Sequence, residues 1–427
     1  MSVLIKGGRV IDPANNIDQI GDLFLSHGIV ASLGEEPAGF SPDETIDARN
    51  LIVCPGLVDL QARLREPGEE HKATLETELT AAVAGGVTTV CCPPDTDPVI
   101  DTPAMVQMIK QKARAIGLAH VYPIGALTRN LAGQQLSDMA ALGDAGCVAV
   151  GNADQSVDNT LLMRRAMQYA ATFNLNVFLN ALDPWLKGNG CVHEGEVSTR
   201  LGLPVIPEAA EVVALARELA LLETTGASGH ITQVSCARSV EKLAEAQTRK
   251  IAVTAAVSAH HLHLSEQDIG EFDTMCHVIP PLRSVQDRDS LRVALADGII
   301  GAICSDHQPH RLDAKLAPFS ESSPGISGLE TLLSLALKLT EEQIVDLPRV
   351  ITVLTAGPAR ILGIDAGHLS PGARANVCVF DPHIEWRVDA TEFYSNGENT
   401  PFNGEILKGR VMFTVVDGSI VYRNRHH

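Results

Sequence analysis

The chain has 427 residues, 45% of them hydrophobic and 20% charged, which supplies the core of one large barrel-class domain with a smaller one beside it and argues against general disorder. Its 33 Lys and Arg against 52 Asp and Glu leave a formal net charge of -19, which disfavours nucleic acid and anionic membrane as partners. The opening Met1 to Val10 lacks a charged segment followed by a long apolar run, and no later stretch reaches the ~18 apolar residues of a membrane span, so a non-exported, cytoplasmic protein is expected.

From Val3 to Ile52, short apolar runs alternate with turn signals such as Gly7-Gly8, Asp12-Pro13 and Ser26-His27-Gly28, the pattern of a small β-structure. The rhythm then changes. Strand-like runs are predicted at Leu51–Leu60, Val87–Cys92, Val121–Ala126, Val148–Gly151, Val177–Ala181, His230–Ser235, Ile251–Val257 and Ile299–Ser305, with amphipathic segments between them. One of these, Glu208–Leu222, follows Pro204 to Pro207, which read as a turn and helix start. Eight strands so spaced predict an α/β fold, a (β/α)8 barrel over residues 54–371. The β pattern returns from Ala375–Phe380 to Val411–Val416, so residues 1–53 and 372–427 are expected to form one small β-domain. The nine cysteines are odd in number and lack a C-x-x-C pair, and read as reduced, mostly buried thiols. Cys91 and Cys92 are adjacent on a strand and so point to opposite faces, which disfavours a shared metal.

In a barrel of this kind the chemistry sits at the C-terminal ends of the strands. The first strand ends in Val58-Asp59-Leu60-Gln61-Ala62-Arg63-Leu64-Arg65-Glu66-Pro67-Gly68, which has the frame of an H-x-H metal motif with Gln61 and Arg63 in the imidazole places. Residues two apart share a face, so both should point into one pocket. A guanidinium has no lone pair to give a metal.

Pro55-Gly56-Leu57-Val58-Asp59 followed by Leu64-Arg65-Glu66-Pro67-Gly68 resembles the first barrel strand of the dihydroorotases, in the amidohydrolase superfamily. Gly85-Gly86-Val87-Thr88-Thr89-Val90, His193-Glu194-Gly195-Glu196-Val197, Pro280-Pro281-Leu282-Arg283, Ser305-Asp306-His307-Gln308-Pro309-His310, Gly328-Leu329-Glu330-Thr331 and Asn399-Thr400-Pro401-Phe402 extend the resemblance over nearly the whole chain. It implies the (β/α)8 amidohydrolase barrel, and, in active members, one or two zinc ions and reversible cyclisation of carbamoyl aspartate to dihydroorotate. The zinc supplies hydroxide near neutral pH, while an aspartate after the last strand moves the proton.

Carried over residue by residue, most of that equipment is replaced. Gln61 and Arg63 stand for two histidines, Asn152 and Ala153 occupy the acidic places, and Asn180 and Gln233 stand for two later histidines; only Asp306 keeps its type. Amides and a methyl group are poor zinc donors, so no cofactor is expected at these degenerate positions. Arg63 is expected to offset the charge of Asp306 in place of the ion. Arg65 and His310 match positions that hold the substrate carboxylate in active relatives, but Asp95 stands where the family has asparagine and Ile279 where it has another. Orotate-like ligands are therefore expected to bind weakly or not at all.

Each retained residue also has a purely structural reading. Arg65 and Glu66 read equally as a mutual pair or a loop cap, and His310 with Asp306 as a hydrogen-bonded brace of the last loop. His261 and His263 read as packing and surface groups. The resemblance implies a catalytically inactive dihydroorotase-like protein, a structural or assembly subunit for aspartate transcarbamoylase in pyrimidine biosynthesis and a homo-oligomer within that complex. The alternatives are a hydrolase of another cyclic amide, using Asp306 and His310 as acid and base, and a metal-free sensor of a pyrimidine ligand.

Overall fold

The computed structural model describes residues 1–424. Parallel strands follow one another in chain order around a barrel: Leu57–Asp59, Val87–Cys92, His120–Pro123 with its continuation Gly125–Ala126, Ala149–Gly151, Asn176–Leu179, Gly229–Ile231, Val253–Ser258 and Ala302–Cys304. The ring closes where the ends of the first and last strands meet. There Arg63 N–H donates to the His307 carbonyl at 2.9 Å and His307 N–H to the Gln61 carbonyl at 3.2 Å.

Every predicted strand region overlaps an observed strand, with one division. The apolar run Leu51–Leu60 is two strands: Ile52–Pro55 pairs outside the barrel, and Leu57–Asp59 opens it. Gly56 separates them. The second sheet runs in the order Ser419–Arg423, Ile406–Val416, Val377–Arg387, Ile52–Pro55, Ser2–Asp12, Ile17–Ser26, Ile29–Leu33, with Glu44–Asp47 also paired to Ser2–Asp12. Both ends of the chain thus contribute to one sheet, and its pairing extends through Pro55, which lies opposite Val377.

Strand alternation explains how that sheet joins the barrel. Val10, Val379 and Val415 pack into the β-domain's own core, whereas their neighbours Ile11, Phe380 and Val416 belong to the large cluster around the barrel's outer layer. Gly86 adopts φ +81 at the start of the second strand, and a Cβ there would lie 2.6 Å from the Cys378 sulfur of the sheet. Only a residue without a side chain tolerates both the backbone and the approach.

Inside the barrel, Val58, Leu60, Cys91, Ile124, Ala149, Phe178, Ala256, Ala302 and Cys304 form a separate apolar plug beneath the mouth. Cys91 lies in this plug and Cys92 in the outer cluster, the opposite faces expected of adjacent strand residues. All nine cysteines are buried and unpaired. Helix Glu208–Thr225 begins after Pro207 as the sequence predicts. Among the described residues no helix is long and apolar enough to cross a membrane.

Candidate functional site at the barrel mouth

Gln61 and Arg63 lie just beyond the first strand and both turn inward, with side chains almost wholly buried. Arg63 Nε donates to Asp95 Oδ2 at 2.6 Å and one terminal nitrogen to Asp154 Oδ2 at 2.6 Å. The other terminal nitrogen stands 3.9 Å from Asp306 Oδ1 and makes no hydrogen bond. The expected offset of Asp306 by Arg63 is present but shared: Asp306 is the third and most distant carboxylate around the guanidinium, and Asp95 and Asp154 are its hydrogen-bonded partners. The planar fork explains the division, because its nitrogens diverge toward separate acceptors. Burial works to lower the Arg63 pKa, but Asp154, Asp95 and Asp306 together outweigh it and raise it, so the cation is fixed.

Asp306 is buried, with φ +46. Its Oδ1 accepts from Gln61 Nε2 at 3.0 Å and from Gln308 Nε2 at 3.2 Å. Burial raises its carboxyl to about 7; Arg63 pulls it down and Asp154 pushes it up. Two neutral amide donors and a cation out of bonding range do not offset the loss of water.

The remaining replaced positions divide. Asn180 Nδ2 donates to Asp154 Oδ1 at 3.0 Å, so it supports the acid that holds Arg63. Asn152 turns away from the cluster: its Nδ2 donates to the carbonyls of Leu131 and Gln155, each at 3.1 Å, and its Oδ1 accepts from Thr128. It braces a loop, and Ala153 beside it has φ +48. Gln233 Nε2 donates to Ser258 Oγ at 3.3 Å while its Oε1 has no partner. Sequence reasoning placed Asp95 at the pocket but missed Asp154 and the pairing of both acids with Arg63. A legible signal existed: a fixed cation entering a closed pocket needs acids nearby, and Asp95 appears where the family has asparagine.

Arg65 and Glu66 do not pair with one another. Arg65 donates to Glu69 Oε2 at 2.8 Å and to the Pro309 carbonyl at 3.2 Å. Glu66 caps helix Leu75–Ala84 by accepting from Leu75 N–H at 2.8 Å, and it also pairs with Lys112, so the capping alternative describes it. His310 bonds not to Asp306 but to the Pro324 carbonyl at 3.0 Å, with Arg65 at 3.2 Å from the same ring nitrogen. Burial and Arg65 hold its pKa down at about 3, so it is neutral and that nitrogen donates to Pro324 or accepts from Arg65, not both. The positive φ of Arg65, +61, and the cation 2.8 Å from Glu69 leave Arg65 and His310 committed to loop contacts. His261 and His263 are buried and face backbone carbonyls of Pro280 and Leu335, which bears out packing and corrects any surface position.

Zinc does not fit this donor set. Around the pocket stand the Gln61 and Asn180 amides, the Ala153 methyl group and a guanidinium lodged among the three acids. Among the described residues no three His, Cys, Asp or Glu side chains converge as ligands. The space left open beside Leu60, Gln61, Arg63, Asp154, Phe178 and Asn180 is about 20 Å³, room for about one water. Small-molecule sites ordinarily measure roughly 300–1,000 Å³.

The family description "Dihydro-orotase-like" matches residues 50–239. The chain is 46% identical over 422 residues to a dihydroorotase-like protein of Pseudomonas aeruginosa, covering 99% of this chain and 100% of that one. The chain belongs to the dihydroorotase-like family. It is also 43% identical over 423 residues to a protein of Citrifermentans bemidjiense named dihydroorotase, covering 99% and 100%. Among solved structures, the L-hydantoinase (dihydropyrimidinase) of Arthrobacter aurescens superposes with a TM-score of 0.87 at 23% identity, over 99% of this chain and 96% of that one. That likeness bears out the predicted (β/α)8 barrel with its small β-domain.

Proposed function

We propose that this chain is a non-catalytic dihydroorotase-like protein whose role is structural, as an assembly subunit for aspartate transcarbamoylase. The observation that carries the reading is the Arg63 cluster: a permanently charged guanidinium holds Asp95 and Asp154 and stands beside Asp306, the point where a dication would have to sit. Without a metal, a water at this site keeps a pKa near ~15.7 rather than ~7. Asp306 then lacks an activated nucleophile, and general acid or base help alone supplies roughly 10²–10⁴-fold. The remaining space favours the same reading over an altered hydrolase or a pyrimidine sensor, since about 20 Å³ admits neither ligand without rearrangement. The partner comes from the family resemblance, and the homo-oligomeric state and cytoplasmic location belong to the same proposal.

The test is co-expression with aspartate transcarbamoylase, followed by size analysis and assay of both activities with and without added Zn²⁺. The expected result is a joint complex, transcarbamoylase activity that depends on this chain, and no dihydroorotase turnover. Transcarbamoylase that assembles and works equally well alone would remove the assembly role, and zinc-dependent dihydroorotase turnover by this chain would remove the non-catalytic one.

A further inference from the structure

At the end of the barrel away from Arg63, the third strand begins at His120 and the last hairpin turns at Asp417 and Gly418. Between them and the final turns of helix Pro103–Ile116 lies a cavity of about 700 Å³. That size falls within the range of small-molecule sites. Catalytic groups of this fold lie at the opposite, C-terminal strand ends, so this cavity has no part in the ancestral chemistry.

Its wall gathers Lys110, Arg114, His120 and Arg374 against one carboxylate, Asp417. Three fixed cations in one groove stand out in a chain of net charge -19. None of the three is fully neutralised. Lys110 Nζ lies 3.4 Å from the carbonyls of Ala145 and Gly146, both long contacts to neutral groups. Arg374 stays 3.8 Å from Asp417 Oδ1, and His120 Nε2 is 3.4 Å from the same oxygen. The Arg114 side chain, exposed in the last helical turn, has no ion pair or hydrogen bond among the described residues. Tyr122 adds a half-buried ring and hydroxyl to the same wall.

We propose that this groove binds the polyphosphate of a nucleoside triphosphate. Guanidinium forks suit phosphate oxygens in paired hydrogen bonds, and an ammonium adds a point charge beside them. The several negative charges of a triphosphate call for more than one cation, and the groove gathers three against one carboxylate; the cavity is larger than the phosphates alone require, which leaves room for the nucleoside. The site is independent of the assembly role proposed above.

Calorimetric titration of the full chain with ATP, UTP and inorganic tripolyphosphate, at roughly 0.15 M ionic strength, separates the alternatives. At least one nucleotide is expected to bind more tightly than tripolyphosphate, with affinity falling as salt rises. Arg114→Ala should weaken it roughly tenfold, and Arg114→Ala with Arg374→Ala further. Arg114 has no structural partner to lose, and melting curves of both variants report whether the fold survives. Absence of binding by either nucleotide at millimolar concentration, or binding unchanged in the double variant, overturns the site. Tripolyphosphate binding as tightly as the nucleotides overturns the assignment of the nucleoside.

Discussion

At the barrel mouth, a buried cation is shared among carboxylates: Arg63 bonds to Asp95 and Asp154 and approaches Asp306. Immediately behind it, two other buried carboxylates are held by a different set of donors. Asp59, one pleat before Gln61, accepts from Ser305 through both its N–H, at 3.0 Å, and its hydroxyl. Glu78 accepts from His307 Nε2 at 2.6 Å, from Ser395 Oγ at 2.7 Å and from Asn396 N–H at 3.2 Å. Burial tends to raise the Glu78 pKa, but His307 and the hydroxyl donors prevail and lower it. The inner pair is fastened by several short donors, brought in from distant parts of the chain, that belong to the scaffold. The outer cluster depends on one side chain, and its energy is cooperative in a way the inner one is not.

The difference can be broken most sharply at Arg63. Arg63→Leu leaves Asp95, Asp154 and Asp306 without their cation and should cost about 3–5 kcal/mol in urea unfolding. Adding Asp95→Asn, Asp154→Asn and Asp306→Asn to Arg63→Leu should recover most of that loss; a combined variant no more stable than Arg63→Leu would show the cluster not to be a charge-balanced unit. Glu78→Ala strands His307, Ser395 and Asn396 as buried donors, and a loss of about 2–4 kcal/mol is expected by the same measurement. Here no charge-neutralising partner change should rescue it.

Asp306 gives a smaller effect with a definite sign. Its folded pKa of about 7 lies above the ordinary 3.8, so the folded chain binds the proton more tightly than the unfolded chain between those values. Stability from this group is full below about pH 4 and is lost as pH rises through about 7. Asp306→Asn removes that loss, and its Oδ1 still accepts from Gln61 and Gln308. The variant should gain about 1–3 kcal/mol at pH 8 relative to its difference at pH 4, read from melting curves across the range. A pH-independent difference would place the Asp306 pKa near its ordinary value. Smallest of all, Asn180→Ala removes one donor to the partly exposed Asp154 and should cost about 0.5–1 kcal/mol.

The scaffold was legible because its signals are local and repeated. Apolar runs marked all eight barrel strands, and Pro207 marked the helix that follows it. The split of Leu51–Leu60 was hidden, since two adjoining apolar strands in different sheets look like one run and only Gly56 lies between them. Inward placement of Gln61 and Arg63 followed from the strand period. Which acid Arg63 would choose did not: Asp95 and Asp154 lie on other strand ends, and their reach depends on loop paths that residue order does not encode. Asn152 shows the same limit from the other side. The resemblance expects an acid at its position, yet its amide finds Leu131, Gln155 and Thr128 and turns away from the cluster.

The pairing of Ile52–Pro55 with Val377–Phe380 has a consequence for synthesis. The amino-terminal strands leave the ribosome long before the strand that completes their sheet, with the entire barrel translated in between. Their pairing edge must stay unsatisfied through that interval, since such distant contacts form slowly and open edges invite wrong partners. The growing chain therefore has its greatest need of chaperones before residue 377 emerges, and ribosome-bound fragments ending short of it should aggregate where fragments carrying the last strands do not.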